Sequence, residues 1–102
     1  MSSVFKALSD PTRRAVLEML REGPRTAGEL SAQFAVSRPT MSAHFSVLRE
    51  AGLVRSERDG KNIVYHLQMS VLEDALMTLA NSFGLDLSRA GQPATGNKGG
   101  DA

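Results

Sequence analysis

Residues 26–48, TAGELSAQFAVSRPTMSAHFSVL, decide the fold. Thr26 and Glu29 have the spacing of a capping box, in which a hydroxyl and a carboxylate satisfy backbone N–H groups left free at a helix start. The helix that follows is expected to bury Ala27, Leu30 and Phe34, spaced i, i+3, i+7. Ala35-Val36-Ser37 then forms a tight joint: Val36 is apolar and suited to plug the turn into the core, and Ser37 can accept the exposed N–H groups of a second helix starting at Arg38. Pro39 is tolerated there because the first-turn N–H groups have no helical partner. Within this second helix Met41, Phe45 and Leu48 fall on one apolar stripe, which turns Arg38, Ser42, Ala43 and Ser46 outward. The pattern predicts a helix-turn-helix.

Working outward, Leu53 to Leu67 reads as a β-hairpin turning on Asp59-Gly60, with Arg58 and Lys61 on either side of the turn. A helix-turn-helix followed by a basic-tipped hairpin predicts a winged helix. Upstream, a short apolar helix at Val4 to Leu8 precedes Asp10, a candidate N-cap, and Pro11, suited to a first helical position. The helix they open should run to about Glu22, bury Val16, Leu17 and Leu20, and stop at a left-handed Gly23 followed by Pro24. Downstream, Leu72, Ala75, Leu76, Leu79 and Phe83 recur at helical spacing between Val71 and Phe83. The expected class is mainly α with a β-hairpin wing, in the order α-α-α-α-β-β-α, over residues 1–87. Residues 88–102, SRAGQPATGNKGGDA, are small, polar and glycine-rich and are expected to form a disordered tail.

Composition narrows the function classes. A chain of 102 residues supports one core and is small enough to lean on a partner subunit. Cysteine is absent, which excludes disulfides, thiolate metal sites, zinc fingers and persulfide sensing. No apolar run approaches the roughly 18 residues needed to span a bilayer, and MSSVFKALSDPTRR lacks the features of a signal peptide, so a cytoplasmic protein is expected. The net charge of +1 is small for a nucleic-acid binder but conceals an asymmetry: residues 11–61 hold nine basic against six acidic side chains, and residues 62–102 hold two against four. Small polar residues behind one arginine suit close approach to base edges, because arginine can reach guanine O6 and N7 bidentately. Arg13 and Arg14 are expected to make internal ion pairs or to hydrate a helix and carry no site role. No glycine-rich phosphate loop, metal-ligand cluster or nucleophile–base pair stands at meaningful spacing, so no enzyme is expected.

ALSDPTRRAVLEML, VSRPTMSAHFSVLREAGLV and RDGKNIVYHL, in this order, resemble the ArsR-type (ArsR/SmtB) winged helix-turn-helix transcription regulators over residues 4 to about 84. The resemblance implies a homodimer built from the first and last helices, two reading helices in successive major grooves of inverted-repeat double-stranded DNA, and wings against the flanking minor grooves. Carried onto this sequence, the reading helix is Arg38 to Glu50, with Ser37, Arg38, Thr40 and Ser42 as DNA contacts, Ala43 and Ser46 on the same exposed surface, and Arg58 and Lys61 at the wing tip. The dimer would bury Val4, Phe5, Leu72, Leu76, Leu79 and Phe83.

Departures from the family matter equally. The Cys-x-Cys of its arsenic and cadmium sensors is replaced here by Thr26 and Gly28, and residues 70–84 lack the histidines of its zinc and nickel sensors. Glu73 and Asp74 are adjacent, so on a helix they point about 100° apart and chelate one ion poorly. His44 is better suited to bond backbone or phosphate than metal, and His66 falls in the second wing strand beside Tyr65. No metal or cofactor is therefore expected. VFKALSDPTRR and TAGELSAQF resemble the autorepressor, SdpR-type, branch, which implies a dimeric repressor that need not sense a metal. A metal-responsive regulator with a non-standard site and a winged helix used for protein association stay open as alternatives.

Overall fold

The computed structural model describes residues 2–86. The elements run α1 (Ser2–Leu8), α2 (Pro11–Leu20), β1 (Arg25–Thr26), α3 (Ala27–Ser31), α4 (Arg38–Glu50), β2 (Val54–Asp59), β3 (Asn62–Leu67) and α5 (Met69–Phe83). The chain divides into two compact units, one ending at Leu72 and the other starting at Glu73. The tail expected at 88–102 lies outside the described residues. Among those residues no helix is long and apolar enough to cross a membrane.

Local signals set the helix starts. Asp10 accepts from the backbone N–H of Arg13 and Pro11 takes the first position of α2. The capping box of Thr26 and Glu29 is complete, with bonds of 2.9 and 3.0 Å. Ser37 accepts from the backbone N–H of Thr40 to open α4. The end of α4 is a Schellman motif: Gly52, at φ 77°, donates to the Arg49 carbonyl, and Leu53 donates to that of Leu48. Leu48 and Leu53, the apolar pair that accompanies such a motif, are both 0% exposed.

The first unit's core joins Val16, Leu17 and Leu20 of α2 to Leu30, to the Met41–Phe45–Leu48 stripe of α4, and to Leu53, Val54 and Tyr65. The Phe45 and Tyr65 rings stack with centroids 4.8 Å apart, fastening the wing to α4. The sheet is antiparallel in the order β1-β3-β2.

Several expectations change. Arg25 and Thr26 form an additional strand, paired with Tyr65 and Val64, so the wing hairpin grows to three strands; two residues carry no readable period. Helix α3 ends at Ser31, and Phe34 lies beyond it, half-buried. Val36 is 40% exposed and lines the groove beside α4 instead of plugging the turn into the core. Helix α2 stops at Leu20, and Gly23 has φ 145°, outside the left-handed helical region. The hairpin turns one residue later than expected: Asp59 pairs with Asn62, so Gly60 and Lys61 are the central residues. Gly60 has φ 64° while Lys61 does not have positive φ, which matches a type II′ turn, where the first central position alone favours glycine.

Candidate nucleic-acid interface

Helix α4 shows three longitudinal faces. At 100° per residue, Met41, Phe45 and Leu48 form the buried one, and all three are nearly solvent-free. Beside it run Arg38, Ser42, Ser46 and Arg49. The outermost face carries Pro39, Ala43 and Glu50, all exposed. Thr40 and the half-buried His44 occupy the flank on the other side of the core stripe.

The Arg38–Arg49 row borders a groove of about 770 Å³ between α3, α4 and β3. Gly28 of α3 and Ala32 just beyond its end form one wall, Phe45 and Tyr65 the floor, and Ile63 the wing side. Arg38 and Arg49 are three helical turns apart, about 16 Å along the axis, so one guanidinium stands near each end. Arg49 is held across the groove: its two terminal nitrogens lie 3.4 Å from the Tyr65 hydroxyl and 3.4 Å from Ser46 Oγ. Sequence reasoning assigned Arg49 no role. Its signal was the spacing of eleven residues from Arg38, which returns a helix to almost the same face.

The wing extends this sorting of charge. Directly paired residues of antiparallel strands point to one side of the sheet, so Arg58, paired with Ile63, shares a side with Ile63 and Tyr65. The opposite side carries Arg55, Glu57, Asp59 and His66, where His66 Nε2 lies 2.7 Å from Glu57 Oε1. The groove lining contains two arginines and no acid, and Arg58 extends the basic edge. Anionic chains are favoured on that side.

The predicted contacts separate into groups. Arg38, Ser42 and Ser46 come together on the groove edge. Ala43 is exposed on the outer face, small enough to admit close approach. Ser37 and Thr40 are exposed, but the Ser37 hydroxyl donates to Thr40 Oγ1 at 2.9 Å while accepting at the cap, so it is committed to α4 itself. Arg58 and Lys61 are exposed toward the wing tip, Lys61 within the turn.

Other expectations are corrected. Arg13 and Arg14 act internally, but on carbonyls: Arg13 donates to the Ala7 and Lys6 carbonyls and Arg14 to that of Leu8, capping α1. His44 bonds a side chain, Arg13, at 3.0 Å. Val4, expected at a dimer surface, is 7% exposed within its own chain, because α1 packs on α2 and α4. Phe5 and Leu72 are half-buried. Along α5, Leu76, Leu79 and Phe83 form a stripe exposed by 40%, 37% and 72%, whereas Ala75 and Ala80 are buried. Among the described residues no group of three or more His, Asp or Glu side chains could hold a metal ion.

Comparison with known proteins places this arrangement. A helix-turn-helix domain model matches residues 8–57. The transcriptional repressor SdpR of Bacillus subtilis is 41% identical over 81 residues, covering 79% of this chain and 90% of that protein. The crystal structure of an ArsR family transcriptional regulator superposes with a TM-score of 0.76 at 31% identity, covering 81% of this chain and 91% of the other. The chain belongs to the ArsR-type winged helix-turn-helix regulators. A homodimeric winged helix-turn-helix DNA-binding domain from Mycobacterium bovis is similar in turn, with a TM-score of 0.64 at 25% identity over 79% of this chain and 77% of that one.

Proposed function

We propose that this protein is a sequence-specific transcriptional repressor that binds an inverted-repeat operator as a homodimer. The reading rests above all on one observation: α4 presents exposed Arg38, Ser42 and Ala43 and half-buried Ser46, all short except the arginine, beside an acid-free groove bordered by Arg49. Short side chains let the helix approach base edges, Arg38 supplies the bidentate donor for guanine, and the flanking arginines suit phosphates. Similarity to a protein named a transcriptional repressor supports the same reading. The apolar stripe of α5 favours a subunit partner, and the resemblance to a homodimeric domain agrees. Residues 1–87 would act as one DNA-binding and dimerising domain in the cytoplasm, repressing by occupying promoter DNA without a metal.

Fluorescence-anisotropy titration tests this, using DNA from immediately upstream of the protein's own gene and a scrambled duplex in about 150 mM salt, with and without chelator. Specific binding stronger than nonspecific by roughly 10³ or more, unchanged by chelator, is expected. A chelator effect would indicate a metal-responsive regulator. Weak and equal binding to every duplex in a genome-wide selection would leave α4 and the wing to a protein partner.

A further inference from the structure

Asp10, Arg13 and His44 lie away from the groove, yet they join the reading helix to the two helices behind it. From α2, Arg13 Nε donates to the Ala7 carbonyl at 2.8 Å and one terminal nitrogen donates to the Lys6 carbonyl at 2.9 Å. The other terminal nitrogen lies 3.0 Å from Nδ1 of His44, in the middle of α4. A guanidinium has donors and no acceptor, so this contact is a hydrogen bond only while Nδ1 keeps its lone pair. The neutral ring's proton therefore resides on Nε2, which lies 3.8 Å from Asp10 Oδ2. Asp10 is itself fixed as the α2 cap, accepting from the Arg13 N–H at 3.0 Å.

We infer that Arg13 and His44 are positioning residues for DNA recognition, setting the rotation of α4 against α1 and α2, and that proton uptake by His44 releases this hold. The inference rests on the DNA-reading role proposed above. Apolar contacts by Met41, Phe45 and Leu48 hold α4 down but are non-directional, whereas the Arg13–His44 bond has a direction. Rotation of a helix of radius about 6 Å by about 10° moves its surface about 1 Å, enough to spoil a bidentate contact from Arg38. A protonated ring places a donor and a positive charge against Arg13 and draws the imidazolium toward Asp10. Other charged groups on elements packed against α4 are exposed, Lys6 on α1, Arg14 and Glu18 on α2, and Arg55, Glu57, Arg58 and Asp59 on β2, while half-buried His66 on β3 lies 2.7 Å from Glu57. Among the described residues, Asp10 and Arg13 are the charges within bonding or ion-pair distance of the ring.

The test measures the ratio of specific to nonspecific DNA affinity of the full chain across about pH 5.5 to 8. The upstream and scrambled duplexes are used at constant salt. His44→Asn keeps an acceptor near the Nδ1 position but takes up no proton, and His44→Leu removes the acceptor. The wild-type ratio should fall about three- to tenfold on acidification. His44→Asn should hold its ratio, and His44→Leu should be low throughout, with nonspecific affinity alike in all three at the alkaline end. A wild-type ratio independent of pH, or His44→Asn falling in parallel with wild type, overturns the inference and leaves DNA recognition intact. Absence of specific binding by the wild type at any pH, to any duplex, overturns the DNA reading and this inference with it. Thermal unfolding verifies that the variants fold; should His44→Leu not fold, wild type against His44→Asn decides.

Discussion

Tyr65→Ala should remove the fastening between the wing and α4. The ring is 4% exposed and stacks on Phe45 at 4.8 Å. Truncating a buried aromatic to alanine costs about 3–5 kcal/mol, of which the lost stacking accounts for about 0.5–1.5 kcal/mol. A domain of this size has about 5–15 kcal/mol in total, so the variant loses about a fifth of its stability or more. Tyr65→Phe keeps the ring and removes only the hydroxyl that meets Arg49 at 3.4 Å. At that length the bond is weak, and the expected cost is under about 1 kcal/mol. Urea unfolding followed by far-ultraviolet circular dichroism, at one protomer concentration because association adds to stability, separates the two. With a slope of about 1–3 kcal/mol per molar urea, the alanine midpoint should fall by about 2 M and the phenylalanine midpoint by less than about 0.5 M. An alanine cost below about 1.5 kcal/mol, or equal costs for both variants, would refute the claim that ring burial holds the wing.

Arg38→Ala should lower the ratio of specific to nonspecific affinity by about 1–3 kcal/mol equivalent, read by anisotropy on operator and scrambled duplexes. Arg49→Ala and Lys61→Ala should weaken both duplexes alike and flatten the salt dependence by about one unit each. Phe83→Asp should shift the protein toward monomer in sedimentation velocity with little effect on chain folding, since Phe83 is 72% exposed; an unchanged dimer would exclude this part of α5 from the interface. The Asp10 carboxyl is held below its ordinary value of 3.8, chiefly by the Arg13 N–H it accepts, aided by the positive charges of His44 and Arg13 and opposed by burial. Its folded-state pKa is thus lower than its unfolded one. The stabilisation is complete above pH 3.8 and is lost as pH falls through the lower folded value. Acid unfolding of Asp10→Asn, which keeps a capping oxygen, should show a shallower decline in that window.

The helix starts were legible because a cap is a local device: Asp10, Thr26 and Ser37 each act on backbone groups within three residues. The core stripe of α4 was legible for a related reason, since helical geometry alone fixes which side Met41, Phe45 and Leu48 share. Strand β1 was not, because two residues gain strand geometry only from the bonds that β3 offers them. Nor was the exposure of Val36, which depends on how the turn sits in three dimensions and not on the type of residue in it.

For the candidate interface the division is similar. Arg38, Ser42, Ala43 and Ser46 could be placed on the exposed half of α4 from their spacing. The groove could not, nor the reach of Arg49 to Tyr65, because both require β3 to lie alongside α4 through contacts between residues sixteen apart. Arg13 and His44 show the contrast most sharply: thirty-one residues separate them, so only the packing of α2 against α4 makes them partners. Sequence by itself determined the caps, the helical faces and the hairpin, because these follow from interactions a few residues long. Tertiary structure decided the groove, the three-stranded wing and the bond linking α1 and α2 to α4. These depend on distances between elements that no local periodicity specifies.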